Sequence, residues 1–203
     1  MKKIPLGTTD ITLSRMGLGT WAIGGGPAWN GDLDQQICID TILEAHRCGI
    51  NLIDTAPGYN FGNSEVIVGQ ALKKLPREQV VVETKCGIVW ERKGSLFNKV
   101  GDRQLYKNLS PESIREEVEA SLQRLGIDYI DIYMTHWQSV PPFFTPIAET
   151  VAVLNELKAE GKIRAIGAAN VDADHIREYL QYGELDIIQA LSLIHISEPT
   201  RPY

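Results

Sequence analysis

In four places along this chain, a helical pattern ends at a glycine and a short apolar run follows almost at once. Glycine at such a point supplies the left-handed residue that ends a helix and turns the chain back. Repeated units of this kind favour a parallel sheet with helices packed against it, because parallel neighbours need a long, usually helical, connection. The four glycines are Gly49, Gly126, Gly161 and Gly183.

Six apolar runs are predicted as the strands of this sheet. They are apolar nearly throughout, which is typical of strands covered on both faces. Ahead of the first of these runs, residues 3–6 and 11–13 flank a polar turn and predict a β-hairpin. No linker or shift in composition divides residues 1–190, which we interpret as one domain. The predicted strands are residues 15–19, 51–54, 80–84, 129–134, 162–167 and 186–189.

The clearest helical pattern covers residues 110–125. Ser110 is a favourable N-cap, and Pro111 suits the first helical position. Apolar residues then recur at helical spacing and form one stripe that can pack against the sheet. The stripe consists of Ile114, Val118, Leu122 and Leu125.

A motif at residues 17–22, Gly-Leu-Gly-Thr-Trp-Ala, has the GxGxxA pattern of dinucleotide-binding folds. That fingerprint requires a helix to begin at the turn, so that the helix N-terminus can hold a pyrophosphate. Here residues 23–27 read Ile-Gly-Gly-Gly-Pro, which strongly disfavours a helix, and the next helical pattern begins only around residues 33–36. We therefore predict an α/β fold of the (β/α)8 TIM-barrel type, cut off after about six strands, rather than a doubly wound sheet.

Composition and charge exclude several kinds of function. The 203 residues include 20 Lys and Arg against 26 Asp and Glu, a net charge of −6 with no basic block, so we expect no nucleic-acid or anionic-membrane partner. No run of about 18 apolar residues predicts a membrane span, and the first residues do not resemble a secretory signal. Cys38, Cys48 and Cys86 have unpatterned spacing that fits reduced thiols in a cytoplasmic protein. The sequence does not specify an oligomeric state.

Residues 191–203 break the strand–helix pattern. They read Leu-Ser-Leu-Ile-His-Ile-Ser-Glu-Pro-Thr-Arg-Pro-Tyr, which resembles the translation of a sequencing-library transposase end and adapter. We expect these residues to be a non-native tail, the native sequence to stop near Ala190, and the gene to continue. His195 is therefore not a candidate ligand.

Polar residues stand where three consecutive predicted strands end. Asp54 ends the second strand, Lys85 follows the third, and His136 follows the fourth. Tyr59 lies in the loop that begins after Asp54. The carboxyl ends of barrel strands carry the active site. Neighbouring strands lie about 5 Å apart, so these groups can converge within about 10 Å.

Together these four residues form a coherent device for proton transfer. The pKa of a free tyrosine is near 10, and a lysine ammonium beside it favours the phenolate and lowers that value. Asp54 would keep Lys85 charged, and Tyr59 could then give its proton to a carbonyl oxygen as a hydride reaches the carbon. His136 could hydrogen-bond the same oxygen. HExxH and CxxC patterns are absent, so we expect no metal site.

Lys85 also allows a second interpretation. A lysine at a barrel strand end can attack a carbonyl and form a Schiff base, as in barrel aldolases and related lyases. Such a lysine needs a lowered pKa, which burial provides and which a neighbouring Asp54 opposes.

Five stretches resemble the aldo-keto reductase family, and the resemblance extends over about residues 3–190. It implies a (β/α)8 barrel whose bottom is closed by an N-terminal hairpin, and carbonyl reduction by NADH or NADPH without a metal. NADH is favoured, and small aldehydes, including α-oxoaldehydes such as methylglyoxal, are the implied substrates. The stretches are residues 17–21, 51–59, 84–85, 131–137 and 161–170.

By position, the resemblance also implies roles for single residues. Asp54, Tyr59, Lys85 and His136 would be the catalytic tetrad. The residues implied to bind the cofactor are Thr20, Trp21, Asp54, Asn170 and Gln189. Asn170 and Gln189 would hydrogen-bond the nicotinamide carboxamide, and Ala169 stands where many relatives have a serine that adds a contact.

The resemblance leaves two further expectations. Relatives grip the cofactor with their seventh and eighth strand–helix units, so we expect the chain as it stands to be inactive. Some relatives are regulatory barrels that bind nicotinamide without turnover, which is a third possible function. The intact pair of Tyr59 and Lys85 disfavours it.

Overall fold

A computed structural model describes residues 1–29, 31, 33–90 and 92–190 of the chain. The expected non-native tail lies outside the described residues, so that expectation stays a prediction. The strands are β1 Lys3–Pro5, β2 Thr12–Ser14, β3 Gly17–Gly19, β4 Leu52–Asp54, β5 Val81–Cys86, β6 Ile88–Val89, β7 Ser95–Val100, β8 Arg103–Lys107, β9 Ile130–Thr135, β10 Ile163–Ala169 and β11 Ile187–Gln189. The helices are α1 Gln35–Arg47, α2 Asn63–Leu72, α3 Pro111–Leu125, α4 Ile147–Ala159 and α5 Ala173–Tyr182.

Six strands form one sheet in which every neighbouring pair is parallel. The spatial order, β3-β4-β5-β9-β10-β11, is also the order along the chain. A doubly wound sheet reverses its strand order at a switch point, and these six strands do not. The predicted α/β class and the barrel-type order are therefore confirmed, and each of the six strands lies where the sequence predicts it.

Both faces of this sheet are covered at its central strands. All six residues of β5 and all six of β9 are buried. On the outer face, Ile53 and Val82 pack with apolar residues of α1 and α2, and Tyr133 and Ile166 pack with those of α3 and α4. Strands that are buried on both sides need continuous apolar sequence, which explains why the apolar runs predicted these strands.

The predicted hairpin is also present. Strands β1 and β2 pair antiparallel, with Ile4 opposite Leu13. Ile11 and Leu13 belong to the apolar cluster that contains Val81 and Ile132, which lie near the amino ends of β5 and β9. The hairpin therefore covers the inner face of the sheet at the end opposite the predicted site.

The structure contains a second sheet that the sequence did not predict. Strands β6, β8 and β7 form a three-stranded antiparallel sheet between β5 and α3. Four of the six residues of β7 are exposed, and the pairing is irregular between Leu96 and Asn98. An exposed, irregular strand has no continuous apolar pattern, so its signal in the sequence is weak.

The helix ends confirm most of the predicted caps. The Ser110 hydroxyl accepts a hydrogen bond from the backbone N–H of Ser113 at 3.3 Å, and Gly126 is left-handed at φ 65°. Gly49 and Gly161 are left-handed as well. The prediction is wrong for Gly183, whose φ is 178°. A Cβ there would lie 2.6 Å from the Val151 side chain, so close packing against α4 explains that glycine.

Gly69 gives a test of helix packing. A Cβ at this position of α2 would lie 2.6 Å from the backbone oxygen of Arg124 and 2.7 Å from that of Leu125. Although alanine is the better helix former, we expect Gly69→Ala to lower the free energy of unfolding by about 1–3 kcal/mol, because backbone atoms of α3 cannot yield easily. Urea denaturation measures this. Gly19→Ala is the control, since a Cβ there meets no atom of the described residues within 4 Å; equal stability of the two variants would contradict the prediction.

Among the described residues, none of the helices has the length and apolar character needed to cross a lipid bilayer.

Candidate active site

The carboxyl ends of the parallel strands surround a cavity of about 550 Å³. Loops after β3, β4, β9 and β10 contribute to its wall, and so do β7 and β8 of the second sheet. The lining therefore combines a polar floor with an aromatic rim. Its residues include Trp21, Tyr59, Phe97, Val100, Leu105, His136, Trp137, Asn170 and Gln189.

Lys85 connects the polar residues at the floor. Its side chain is fully buried and forms an ion pair with Asp54. The ammonium also donates to the backbone oxygen of Thr55 at 3.1 Å and to the hydroxyl of Tyr59 at 3.2 Å. The amine of Lys85 and the hydroxyl of Tyr59 are therefore in direct contact, as the proton-transfer interpretation requires.

The loop that carries Tyr59 has a fixed, unusual backbone. Asn60 and Phe61 adopt left-handed conformations, at φ 51° and 53°, and Gly62 follows at φ 86°. The side-chain amides of Asn60 and Asn63 both donate to the backbone oxygen of Gly24, at 2.9 and 2.8 Å. Such conformations are costly for residues with side chains, and these contacts hold the loop against the segment that follows β3.

The pKa of Tyr59 differs from the sequence-based expectation. Burial raises this pKa, the Lys85 charge lowers it, and the charges of Asp54 and Glu83 raise it. Lys85 therefore acts in the predicted direction, but the net shift is upward. Burial was not visible in the sequence, and it outweighs the effect of one ammonium partly neutralised by carboxylates.

The ammonium of Lys85 remains protonated. Burial lowers its pKa, but the charges of Asp54, Tyr59 and Glu83 raise it, and the net direction is upward. An amine must lose its proton before it can attack a carbonyl. This site therefore keeps the lysine as a cation that supports a neighbouring acid, and gives no support to a Schiff-base role.

His136 is an uncharged member of the site. Its backbone N–H donates to the oxygen of Cys86 at 2.9 Å, and its ring lies edge-on to that of Tyr59, with centroids 5.8 Å apart. Burial and the charge of Lys85 lower the pKa of His136 to about 3. A neutral imidazole can donate a hydrogen bond to a carbonyl oxygen without competing for the proton of Tyr59.

The structure brings four of the five predicted cofactor residues to the cavity or directly beneath it. Trp21 is half exposed at the rim, and its ring stacks against that of Tyr59 with centroids 6.2 Å apart and an angle of 29° between the planes. Asn170 donates its side-chain amide to the backbone oxygen of His136 at 2.8 Å. Asp54 lies beneath the cavity, bound to Lys85.

Thr20 is the predicted residue that does not reach the cavity. It is fully buried. Its hydroxyl donates to the backbone oxygen of Asp54 at 2.9 Å and lies 2.7 Å from the hydroxyl of Ser64. Thr20 therefore joins the ends of β3 and β4 to α2, and fixes the position of Asp54 from behind.

Gln189 reveals a site residue that the sequence analysis missed. Its amide nitrogen donates at 3.0 Å both to Asp54 and to Glu83. Glu83 is only 2% exposed, and burial followed by the charge of Asp54 raises its pKa to about 7, although Lys85 opposes the shift. Glu83 stands two residues before Lys85, so the two side chains share one face of β5. A charged residue at that spacing in a buried strand was the available signal.

Among the described residues, no group of three His, Cys, Asp or Glu side chains could hold a metal ion. The amides of Asn170 and Gln189 both line the cavity beside Tyr59 and His136.

Comparison with known proteins agrees with this geometry. The family model described as "Aldo/keto reductase family" matches residues 15–193. The NADH-specific methylglyoxal reductase of Escherichia coli K12 is 98% identical over 190 residues, which are 94% of this chain and 58% of that protein. The aldo-keto reductase YhdN of Bacillus subtilis is 42% identical over 204 aligned positions, covering 100% of this chain and 54% of YhdN.

The structure resembles solved structures of similar proteins. The glycerol dehydrogenase AKR11B4 of Gluconobacter oxydans has a TM-score of 0.77 and 38% identity, over 93% of this chain and 54% of its own. The chain thus spans between half and three fifths of the length of these relatives. The strand order, the site and the match over residues 15–193 show that the chain belongs to the aldo/keto reductase family.

Proposed function

We propose that this chain carries the proton-transfer site of an NAD(P)H-dependent reductase, which converts small aldehydes and ketones to alcohols. The contact between Lys85 and Tyr59, with Asp54 on the other side of the ammonium, is the observation that supports this proposal most. It places an acid, and a charge that stabilises its anion, at the floor of a cavity with an aromatic rim.

In this proposal Tyr59 donates its proton to the carbonyl oxygen. The ammonium of Lys85 stabilises the phenolate that remains, and Asp54 keeps that ammonium in place. The neutral His136 hydrogen-bonds the same oxygen and orients the substrate. Tyr59 is then reprotonated from solvent before the next turnover.

The residues at the cavity fit a nicotinamide. Gln189 commits its amide nitrogen to two carboxylates, which leaves its amide oxygen as an acceptor for the carboxamide. Asn170 adds a second amide at the same wall. The bound cofactor supplies the hydride. The name of the E. coli relative favours NADH over NADPH.

The substrate is proposed to be a small α-oxoaldehyde of the methylglyoxal type, as the name of the same relative suggests. The protein is proposed to act in the cytoplasm, which its three free cysteines support. The raised pKa of Lys85 opposes the aldolase alternative, and the contact between Lys85 and Tyr59 opposes a purely regulatory barrel.

The test uses two proteins: the chain as it stands, and an extended chain in which residues 1–190 are joined to the C-terminal part of the E. coli relative. We expect the extended chain to oxidise NADH when methylglyoxal is added, and to oxidise NADH faster than it oxidises NADPH. One molecule of alcohol should form for each molecule of cofactor oxidised. Failure to oxidise either cofactor with a panel of small aldehydes would contradict the proposal. Borohydride trapping of an adduct on Lys85 would instead establish Schiff-base chemistry.

A further inference from the structure

We propose that Glu83 is a positioning residue of this site, and that its change between a neutral and a charged carboxyl group governs how readily Tyr59 gives up its proton. The inference rests on the proposed function, since it assigns a role in the same proton transfer. Glu83 itself does not line the cavity and does not touch the reacting atoms.

The geometry places Glu83 inside a closed group of charges. Its Cα partner on β4 is Asp54, and it shares a face of β5 with Lys85. Gln189 reaches across from β11 and bonds both carboxyl groups through one nitrogen, at 3.0 Å each. With 2% of its surface exposed, Glu83 has almost no water to stabilise a negative charge.

Among the residues that the structure describes, few groups face Glu83 from the surrounding elements. β4 contributes Asp54, β5 contributes Lys85, and the loop after β4 contributes Tyr59, all of which interact electrostatically with Glu83. The partner of Glu83 on β9 is the apolar Ile132, and β11 contributes the neutral Gln189. One cation therefore faces two carboxyl groups.

This imbalance has a direct consequence for Tyr59. While Glu83 is neutral, the charge of Lys85 is balanced by Asp54 alone, and a phenolate on Tyr59 meets one carboxylate. Once Glu83 ionises, the phenolate meets a second negative charge and forms less readily. Because the pKa of Glu83 is about 7, this change falls near neutral pH. The proton delivered to the carbonyl oxygen still comes from Tyr59, and the hydride still goes to the carbon.

The first measurement is the ionisation of Tyr59 by ultraviolet absorbance, which needs neither cofactor nor activity. The titration of the chain as it stands is compared with that of its Tyr59→Phe variant, and the difference isolates Tyr59. The same pair is measured with Glu83→Gln. We expect Tyr59 to titrate about half a pH unit lower with Glu83→Gln, which is roughly a threefold gain in acidity.

The second measurement is stability against pH. A carboxyl group with a pKa of about 7 in the folded protein, against 4.5 when free, binds more protons when folded. Its stability contribution is therefore lost as pH rises from about 4.5 to about 7. We expect Glu83→Gln to gain stability relative to the unmodified chain over this range, as measured by urea denaturation at several pH values.

Glu117→Gln is the matched control. Glu117 is also a buried glutamate whose pKa burial raises to about 7, but it lies on α3 and accepts from the backbone N–H of Gly87 at 2.9 Å and from the hydroxyl of Ser113 at 3.0 Å. It is not among the charges that shift Tyr59. We expect it to reproduce the change in stability without moving the titration of Tyr59.

The outcomes separate this inference from the proposed function. The inference is overturned if Glu83→Gln does not move the titration of Tyr59 to lower pH. This includes the case in which Tyr59 titrates in neither the unmodified chain nor the Glu83→Gln variant. An equal shift with Glu117→Gln, or no change in the pH dependence of stability, also overturns it. In the extended chain, kcat/KM for aldehyde reduction should fall from about pH 6 to about pH 8, and Glu83→Gln should remove that fall. If the extended chain lacks reductase activity, the proposed function fails while the titration still tests Glu83.

Discussion

Tyr59→Phe in the extended chain is expected to lower kcat for aldehyde reduction by about 10³-fold, because it removes the group that we propose as the proton donor. The hydroxyl is the only atom lost, and it is the atom that Lys85 contacts at 3.2 Å. The phenyl ring keeps its places beside Trp21 and His136. We therefore expect KM and the free energy of unfolding to change little.

Steady-state kinetics and urea denaturation of the same preparation measure this prediction. The control is Tyr182→Phe, which removes the hydroxyl of a half-exposed tyrosine at the end of α5 and should leave kcat unchanged. Should Tyr59→Phe keep more than about a tenth of the kcat, an effect below the usual range for a general acid, another group must donate the proton.

Arg124→Met is expected to lower the free energy of unfolding by about 3–5 kcal/mol, because it leaves a buried carboxylate without its cation. Glu65 on α2 is fully buried, and its two oxygens are held by the guanidinium of Arg124 and the hydroxyl of Thr84, both at 2.6 Å. Methionine preserves the apolar stem of the arginine but cannot pair with the carboxylate.

A second substitution separates charge from packing. Adding Glu65→Gln to Arg124→Met should recover most of the lost stability, because a neutral amide still accepts from Thr84 and carries no unpaired charge. Arg115→Met is the matched control: Arg115 pairs with the exposed Glu156 and Glu160, and such surface pairs contribute at most about 1 kcal/mol. Equal losses of stability for Arg124→Met and Arg115→Met would contradict this prediction. No recovery of stability in the double variant would show that altered packing, and not the unpaired charge of Glu65, causes the loss.

The parts of this molecule that the sequence predicted share one physical property. The central parallel strands are covered on both faces, so their apolar runs are continuous, and glycines such as Gly126 mark the turns that precede strands of the sheet. The convergence of Asp54, Lys85 and His136 followed from strand order alone. Consecutive strands of the chain lie side by side and parallel in the sheet, so their carboxyl ends meet at one edge.

The parts that were missed depend on what lies across the sheet or the cavity. Glu83 was hidden in an apolar run, and its neighbour Gln189 lies 106 positions further along the chain. The net direction of the pKa of Tyr59 depends on its burial, and Gly183 depends on the closeness of α4. These are tertiary facts, and a local pattern carries no record of them.

The second sheet carries part of the cavity wall on strands that hold none of the four proposed catalytic residues. Phe97, Val100 and Leu105 reach the cavity from β7 and β8, while Tyr59 and Lys85 stand on elements of the parallel sheet and its loops. Under the proposed function, exchange of the hairpin made by β7 and β8 is therefore expected to alter which carbonyl compounds are accepted, while the residues of the proton-transfer site stay in place.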